Sequence, residues 1–211
     1  MTNMPLQIGD SILKSEPKKV QGQFVEIGGE KHYKISNYDF MPPFFMSIVS
    51  DSDHWMFLSS NGGITAGRRD SDNALFPYDP DDKIFDSAHH TGSKTYLRVE
   101  KNGKNYHWEP FSERYRGVYR IEKNLYKNSL GNKILFEEIN KDLSLTFQYG
   151  WMNSEKFGII KTSRIINQNS ASVSVEILDG VQNLLPYGIT RRFQMEYSTL
   201  GDAYKKSELL E

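Results

Sequence analysis

Cysteine is absent from the 211 residues. That excludes a disulfide framework, a thiolate metal site and a thiol nucleophile, and it fits a cytosolic protein. No apolar run approaches the roughly 20 residues that a membrane helix requires. The opening segment "MTNMPLQIGDSILKSEPKKV" has neither the apolar core nor the small-residue cleavage site of a signal peptide. One sign of charge does not dominate either: the formal net charge is -1, so no bulk attraction to nucleic acid or to an anionic membrane is indicated. These absences lead to the expectation of a cytoplasmic chain with no nucleic-acid partner and no membrane partner. P-loop, dinucleotide, HExxH and G-x-S-x-G motifs are also lacking. No cofactor and no metal are expected.

What the chain does hold is a globular composition, 37% hydrophobic and 25% charged, with aromatics at 13%. The Gly28-Gly29 pair inside "GQFVEIGGEKHYKI" and Asn102-Gly103 inside "TYLRVEKNGKNYHWE" supply the positive φ angles of tight hairpin turns. Further on, "LSLTFQYG" puts Leu143, Leu145, Phe147 and Tyr149 on one face. In "SVSVEIL", Val173, Val175 and Ile177 oppose Ser172, Ser174 and Glu176. A period of two with one polar face means antiparallel strands wet on one side. "KILFEEI" and "FGIIKTSRII" read as further strands, and "FFMSIVS" and "HWMFLSS" as strands apolar on both faces. Short strands separated by Gly, Asn and Asp predict an all-β antiparallel sandwich over residues 1–188, with no interior boundary or repeat.

Beyond Pro186 the pattern changes. Phe193, Tyr197, Leu200 and Tyr204 recur at helical spacing, and no capping signal follows before Glu211. The expectation is a C-terminal helix over 189–211 that begins an interdomain linker and is cut short.

The stretch "SSNGGITAGRRDSDNALFPYDPDDKIFDS", Ser59 to Ser87, is too polar for a core strand and too rich in side-chain chemistry for a plain linker. A turn at Asn61-Gly62-Gly63 opens it, and Arg68, Arg69 and Asp70 fall in a long connection, a class of segment that is often functional. Arginine forks can hold sugar hydroxyls or phosphate, and Asp and Asn can accept from or donate to hydroxyls. An Arg–Asp latch that merely orders the loop fits equally well. The carboxylates of "DPDD" at 79–82 lack the ligand spacing of a calcium loop and read as a solvated turn on Pro80. His89-His90 reads as a solvent-facing pair, and His54 with Trp55 as packing at a strand edge.

Three blocks, "SNGGITAGRRDSDNALFPYDPDDKI", "RIINQNS…VSVEILDGVQNLLPYG" and "RRFQMEYSTLGDAYKKSEL", resemble the N-terminal region of cellobiose-phosphorylase-like glycoside phosphorylases, and most of all their large bacterial relatives. The resemblance covers most of the chain from about Phe44. It implies a galactose-mutarotase-like super-sandwich, followed in such enzymes by a helical linker and an (α/α)6 barrel that carries the general-acid Asp and the phosphate site. It implies no catalytic residue in this chain. The positions matching the family's Arg- and Asp-rich loop, which reaches the barrel's sugar-binding end, are Asn61, Gly62, Gly63, Arg68, Arg69, Asp70, Asp72 and Asn73. "ITAGRRDSDNALFPY" here replaces an aromatic-rich segment of the characterised cellobiose phosphorylases, which leaves the sugar open.

The implied function is that of a non-catalytic domain docking on, and helping to line, the sugar site of a downstream catalytic barrel in a glycoside phosphorylase or hydrolase. Its partners would be that barrel and an oligosaccharide or sugar phosphate, with a homodimer as a further option. One alternative is a free-standing carbohydrate-binding module. Another is an aldose-epimerase-like enzyme, for which His107 and Glu109, alternating about Trp108, would supply an acid/base pair.

Overall fold

The computed structural model describes residues 7–8, 11–14, 17–80 and 82–197. The strands in chain order are β1 (Gln7–Ile8), β2 (Ser11–Ile12), β3 (Gln21–Ile27), β4 (Glu30–Ser36), β5 (Phe45–Ile48), β6 (His54–Ser59) and β7 (Ile64–Arg68). They continue with β8 (Gly92–Lys101), β9 (Lys104–Trp108), β10 (Ile121–Asn128), β11 (Lys133–Asn140), β12 (Leu145–Ser154), β13 (Gly158–Asn167) and β14 (Ser174–Gln182), and one short helix, α1 (Arg191–Glu196), follows. Pairing within the hairpins and the larger sheet is antiparallel. The fold is an all-β sandwich with a C-terminal helix, as the sequence predicts. Leu200 and Tyr204, expected on that helix, lie outside the described residues.

Both glycine hairpins form. Gly28 and Gly29 have φ of 59° and 80°, and Asn102 and Gly103 have φ of 53° and 70°. Two successive left-handed residues match the twist of the flanking strands, which is why these pairs close two-residue loops.

The chain divides into two compact units, each assembled from three separate segments. The first holds Met1–Pro42, Lys94–Met152 and Ile160–Gly180; the second holds Pro43–Ser93, Asn153–Ile159 and Val181–Glu211. No composition change marks such boundaries, because both units interleave along the chain.

In the first unit a six-stranded sheet, ordered β13-β12-β11-β10-β4-β3, meets a three-stranded sheet, β14-β8-β9. The apolar faces that alternation selects close on each other. Leu97, Val99 and Trp108 are at most 2% exposed, as are Leu125, Phe136, Leu145 and Phe147. Phe136 stacks on Tyr149 at 4.7 Å, and Phe111 meets Tyr149 edge-on at 5.0 Å. Burying each such side chain is worth about 1.5–3 kcal/mol. The face predicted from Val173, Val175 and Ile177 is less buried: Ile177 is 48% exposed, on β14 at the margin of its sheet.

The second unit is built on the sheet β5-β6-β7. Met46, Ile48, Met56, Leu58, Ile64 and Ala66 form its core. β5 and β6 bury one face fully, not both. Phe45 remains 42% exposed, and Trp55 and Phe57 are half-buried on that same side.

The stretch read as too polar for a core strand contains one. β7, "ITAGR", is buried over its first four residues. Its small residues suit tight packing: a Cβ on Gly67 would come within 2.5 Å of the Trp55 ring. Burial is recovered by neighbours rather than by bulk in β7 itself.

Candidate functional site

The eight candidate residues fall at opposite ends of β7. Its five residues, at about 3.3 Å each, separate the ends by roughly 16 Å.

At the first end, Asn61, Gly62 and Gly63 form the β6–β7 turn. Gly62 takes φ 98°. Gly63 N–H donates to the Ser59 hydroxyl at 2.9 Å, and Asn61 Nδ2 donates to the Phe85 carbonyl at 3.0 Å. A Cβ on Gly63 would stand 2.1 Å from the Ile84 carbonyl oxygen. These interactions are internal, and they clip the turn to the 84–91 segment.

At the second end, Arg68, Arg69, Asp72 and Asn73 are brought together. Along an extended strand Arg68 and Arg69 would face opposite ways. Arg69 instead adopts φ 65°, and its N–H donates to the Asp53 carbonyl at 2.6 Å. The reversal turns both guanidiniums to the same side. Each Nε lies 3.4 Å from Asp53 Oδ2, and each side chain stays more than half exposed. Asp53 is held below the usual carboxylate range, first by a backbone hydrogen bond and then, against the effect of burial, by the two arginines. A non-glycine residue kept in the left-handed region costs of order 1–3 kcal/mol and persists where its surroundings enforce it.

Asp70 takes a different role from its neighbours. Its carboxylate caps the short 3-10 turn Ser71–Asn73, accepting from Asp72 N–H at 3.0 Å and Asn73 Nδ2 at 2.8 Å. Asp72 accepts from the Arg191 N–H at 2.9 Å. Tyr78 N–H donates to Gln194 Oε1 at 3.3 Å, and the Arg191 guanidinium lies 5.2 Å from the Tyr78 ring centre. The loop and α1 therefore hold each other.

Arg68, Arg69, Asp72 and Asn73 line a cleft of about 520 Å³, a size within the range of small-ligand sites. Its other walls are His54, Leu75, the turn Phe157–Ile159 and the segment Leu185–Ile189. Leu185 N–H donates to the Leu75 carbonyl at 2.9 Å, which joins two of those walls. Gly158, at φ 69°, lets its turn approach His54: a Cβ there would be 3.1 Å from His54 Nε2. His54 Nδ1 is 2.8 Å from the Ser52 hydroxyl. Tyr187 is fully exposed and Phe157 is 70% exposed. The cleft thus offers guanidinium donors, a carboxylate, an amide and an imidazole beside exposed aromatic and aliphatic surface.

Sequence reasoning reached four of these residues and missed His54, Phe157 and the 185–189 segment. The last carried a signal in "LLPYG": a turn that places Tyr187 between Pro186 and Gly188 displays an aromatic ring to solvent. Elsewhere, His89 and His90 are both exposed, and Lys83 N–H donates to the Pro80 carbonyl at 2.9 Å, so a turn does form there. His107 is exposed, whereas Glu109 is buried and ion-paired with Lys94. Among the described residues no cluster of three metal-ligating side chains occurs, and no helix is long and apolar enough to cross a membrane. Compared with models of known protein families the chain matches none, and it matches no curated protein.

Proposed function

We propose that this chain is a galactose-mutarotase-like β-sandwich domain of a carbohydrate-active enzyme of the glycoside phosphorylase or hydrolase kind. In this reading it binds part of a sugar chain in the cleft at the end of β7 and presents it to a catalytic domain. One observation carries the reading: Arg68, Arg69, Asp72 and Asn73 converge with exposed aromatic and aliphatic surface on one 520 Å³ cleft. Sugars demand that mixture. Their hydroxyls need paired donors and acceptors, and their C–H faces pack on rings. The position of the arginines also supports binding over a simple latch. A latch would engage the guanidinium ends with internal carboxylates, whereas here a single exposed Asp53 is shared by two arginines.

The test is calorimetric titration of the purified chain with cellobiose, cellopentaose and glucose 1-phosphate, alongside Arg68→Ala and Arg69→Ala. Binding that each substitution weakens by about tenfold, equal to about 1.4 kcal/mol, supports the proposal. Arginine substitutions that lower the melting temperature and leave sugar affinity unchanged would make the loop a structural latch.

A further inference from the structure

The six-stranded sheet ends at β3, and among the described residues no strand lies beside that edge. Sheets commonly blunt such an edge with lysine, proline, a bulge or a very short strand. The opposite edge of the same sheet, β13, carries Lys161 and Arg164. β3 has none of these devices. Its seven residues, "QGQFVEI", include neither lysine nor proline and pair one for one with β4. All but Val25 are exposed, and the one charge among them is Glu26.

The neighbouring strands fix which backbone groups β3 leaves free. Ser129 N–H donates to the Lys31 carbonyl at 2.9 Å, and Asn37 N–H donates to the Lys123 carbonyl at 2.7 Å. The odd-numbered residues of β4 thus turn their backbone groups to the β10 side, and the even-numbered ones turn theirs to β3. His32 and Lys34 face Val25 and Gln23, so those two residues are committed to β4. Gly22, Phe24 and Glu26 alternate with them and point their N–H and C=O groups out of the free edge.

That edge is complementary to itself. A second copy laid antiparallel along β3, with Phe24 facing Phe24, sets Gly22 opposite Glu26 on both sides of the centre. Each facing pair exchanges two hydrogen bonds. No other antiparallel register pairs all of Gly22, Phe24 and Glu26. A register centred on Glu26 sets two carboxylates face to face, whereas the one centred on Phe24 sets each carboxylate opposite a residue with no side chain.

The side chains fit the same register. Tyr33 lies over Gly22, where a Cβ would stand 2.0 Å from the Tyr33 hydroxyl oxygen. That hydroxyl is placed to donate to Glu26 of the second copy as it arrives opposite Gly22. Phe24 is 63% exposed, yet Tyr33 meets it edge-on at 5.2 Å and the Lys31 ammonium lies 4.2 Å from its ring centre. A ring ordered in advance has less freedom to lose on association.

We propose that β3 is the pairing edge of a two-fold dimer, in which a second copy of this chain continues the six-stranded sheet with Phe24 of each copy at the centre. The interface is isologous, the same strand serving on both sides. It uses no residue of the β7 cleft, so either can fail without the other.

The chain has no cysteine of its own, so one introduced thiol reads the register directly. Facing residues of a hydrogen-bonded antiparallel pair have Cα atoms about 5.5 Å apart, within disulfide reach. Diagonal neighbours stand about 7–8 Å apart, beyond it. Phe24→Cys should cross-link into a dimer on mild oxidation, and Gln23→Cys and Val25→Cys should not. Sedimentation of the unsubstituted chain from about 1 μM to 1 mM should show monomer giving way to dimer. Over the same range the amides of Gly22, Phe24 and Glu26 should gain protection from hydrogen exchange, while those of Gln23 and Val25 are protected throughout. Glu26→Pro removes an outward donor and spares the ladder to β4. It should keep the fold and weaken the dimer about tenfold or more, whereas Glu26→Gln should retain the dimer. A chain that stays monomeric overturns the proposal, as does a dimer that leaves those outward amides unprotected or that Val25→Cys traps as readily as Phe24→Cys. A monomer in which the outward amides are already protected would show the edge covered by the chain itself and also overturn it.

Discussion

The two units treat charge in opposite ways. The first unit holds a set of charged groups that are buried and bonded. Glu138, 3% exposed, accepts from Trp108 Nε1 at 2.8 Å and from Phe111 N–H at 2.6 Å, with Lys123 Nζ 4.0 Å away. Burial pushes the Glu138 carboxyl up against the pull of Lys123. Burial would likewise strip the Lys123 proton, but Glu138 and Glu113 outweigh it and hold the ammonium above its ordinary value. On the other face of the same sheet Glu137 accepts from Asn124 at 2.9 Å, Tyr126 at 2.7 Å and Gln148 at 2.6 Å. In the second unit the arginines at the end of β7 are exposed and share one exposed carboxylate. A buried, saturated charge organises a core. An exposed, convergent and under-committed one is placed for something else. The contrast predicts that charge removal unfolds the first unit and disarms the second.

The largest effect is expected at Glu138. Glu138→Ala strands the Trp108 and Phe111 donors and leaves Lys123 without its buried partner. A loss of about 3–5 kcal/mol follows for breaking such a buried set, read by urea denaturation or as failure to fold. Glu138→Gln keeps an acceptor and should lose less. If Glu138→Ala melts with the wild type, the buried network is not what holds the sandwich.

Gly63→Ala comes next. Its Cβ would overlap the Ile84 carbonyl, which is backbone and cannot swing aside. A loss of about 1–3 kcal/mol is expected from such overpacking. Gly103→Ala meets nothing within 4 Å but sits at φ 70°, whereas Gly63 lies outside the left-handed region, so the pair separates steric overlap from backbone strain.

A smaller effect concerns pH. Burial would raise the Asp142 carboxyl, but hydrogen bonds from Arg120 N–H, Lys14 and the Arg120 guanidinium outweigh it and leave a value of about 2. A folded value below the unfolded one stabilises above the unfolded value, near 3.8, and that stability is lost as pH falls towards 2. Denaturation between pH 5 and 2 should therefore be less steep in Asp142→Asn, by about 1 kcal/mol after solvent screening. Equal slopes would mean that the pairing contributes nothing.

The smallest effects are expected at the cleft. Arg68→Ala should change stability by less than about 1 kcal/mol, as exposed ion pairs do. Arg69→Gly should be more stable than Arg69→Ala by about 1 kcal/mol, because glycine relieves the left-handed strain that alanine keeps. A large loss in Arg68→Ala would erase the distinction between the two units.

Much of the sandwich was legible because period-two patterns and glycine turns are local. Phe147, Tyr149 and the two hairpins follow from their own neighbours in the chain. β7 was not legible, since Thr65, Ala66 and Gly67 owe their burial to Trp55 and to segments distant in sequence. The interleaved units were hidden for the same reason. At the site, Arg68, Arg69, Asp72 and Asn73 stand out as a polar run. Nothing local joins them to Phe157 or Tyr187, and nothing local separates Asn61, Gly62 and Gly63 from them. That division depends on β7 being a strand. The φ of Arg69, which aims both guanidiniums together, is likewise set by a contact with Asp53 sixteen positions away.

The most direct measurement is amide chemical-shift mapping of the cleft during titration with cellopentaose and glucose 1-phosphate. The account predicts shifts in His54, Arg68, Arg69, Asp72, Asn73 and the 185–189 segment, lost in the Arg68→Ala/Arg69→Ala variant while its fold is retained. Shifts centred on Asn61–Gly63 instead, or no shift in the cleft at millimolar sugar, would contradict it.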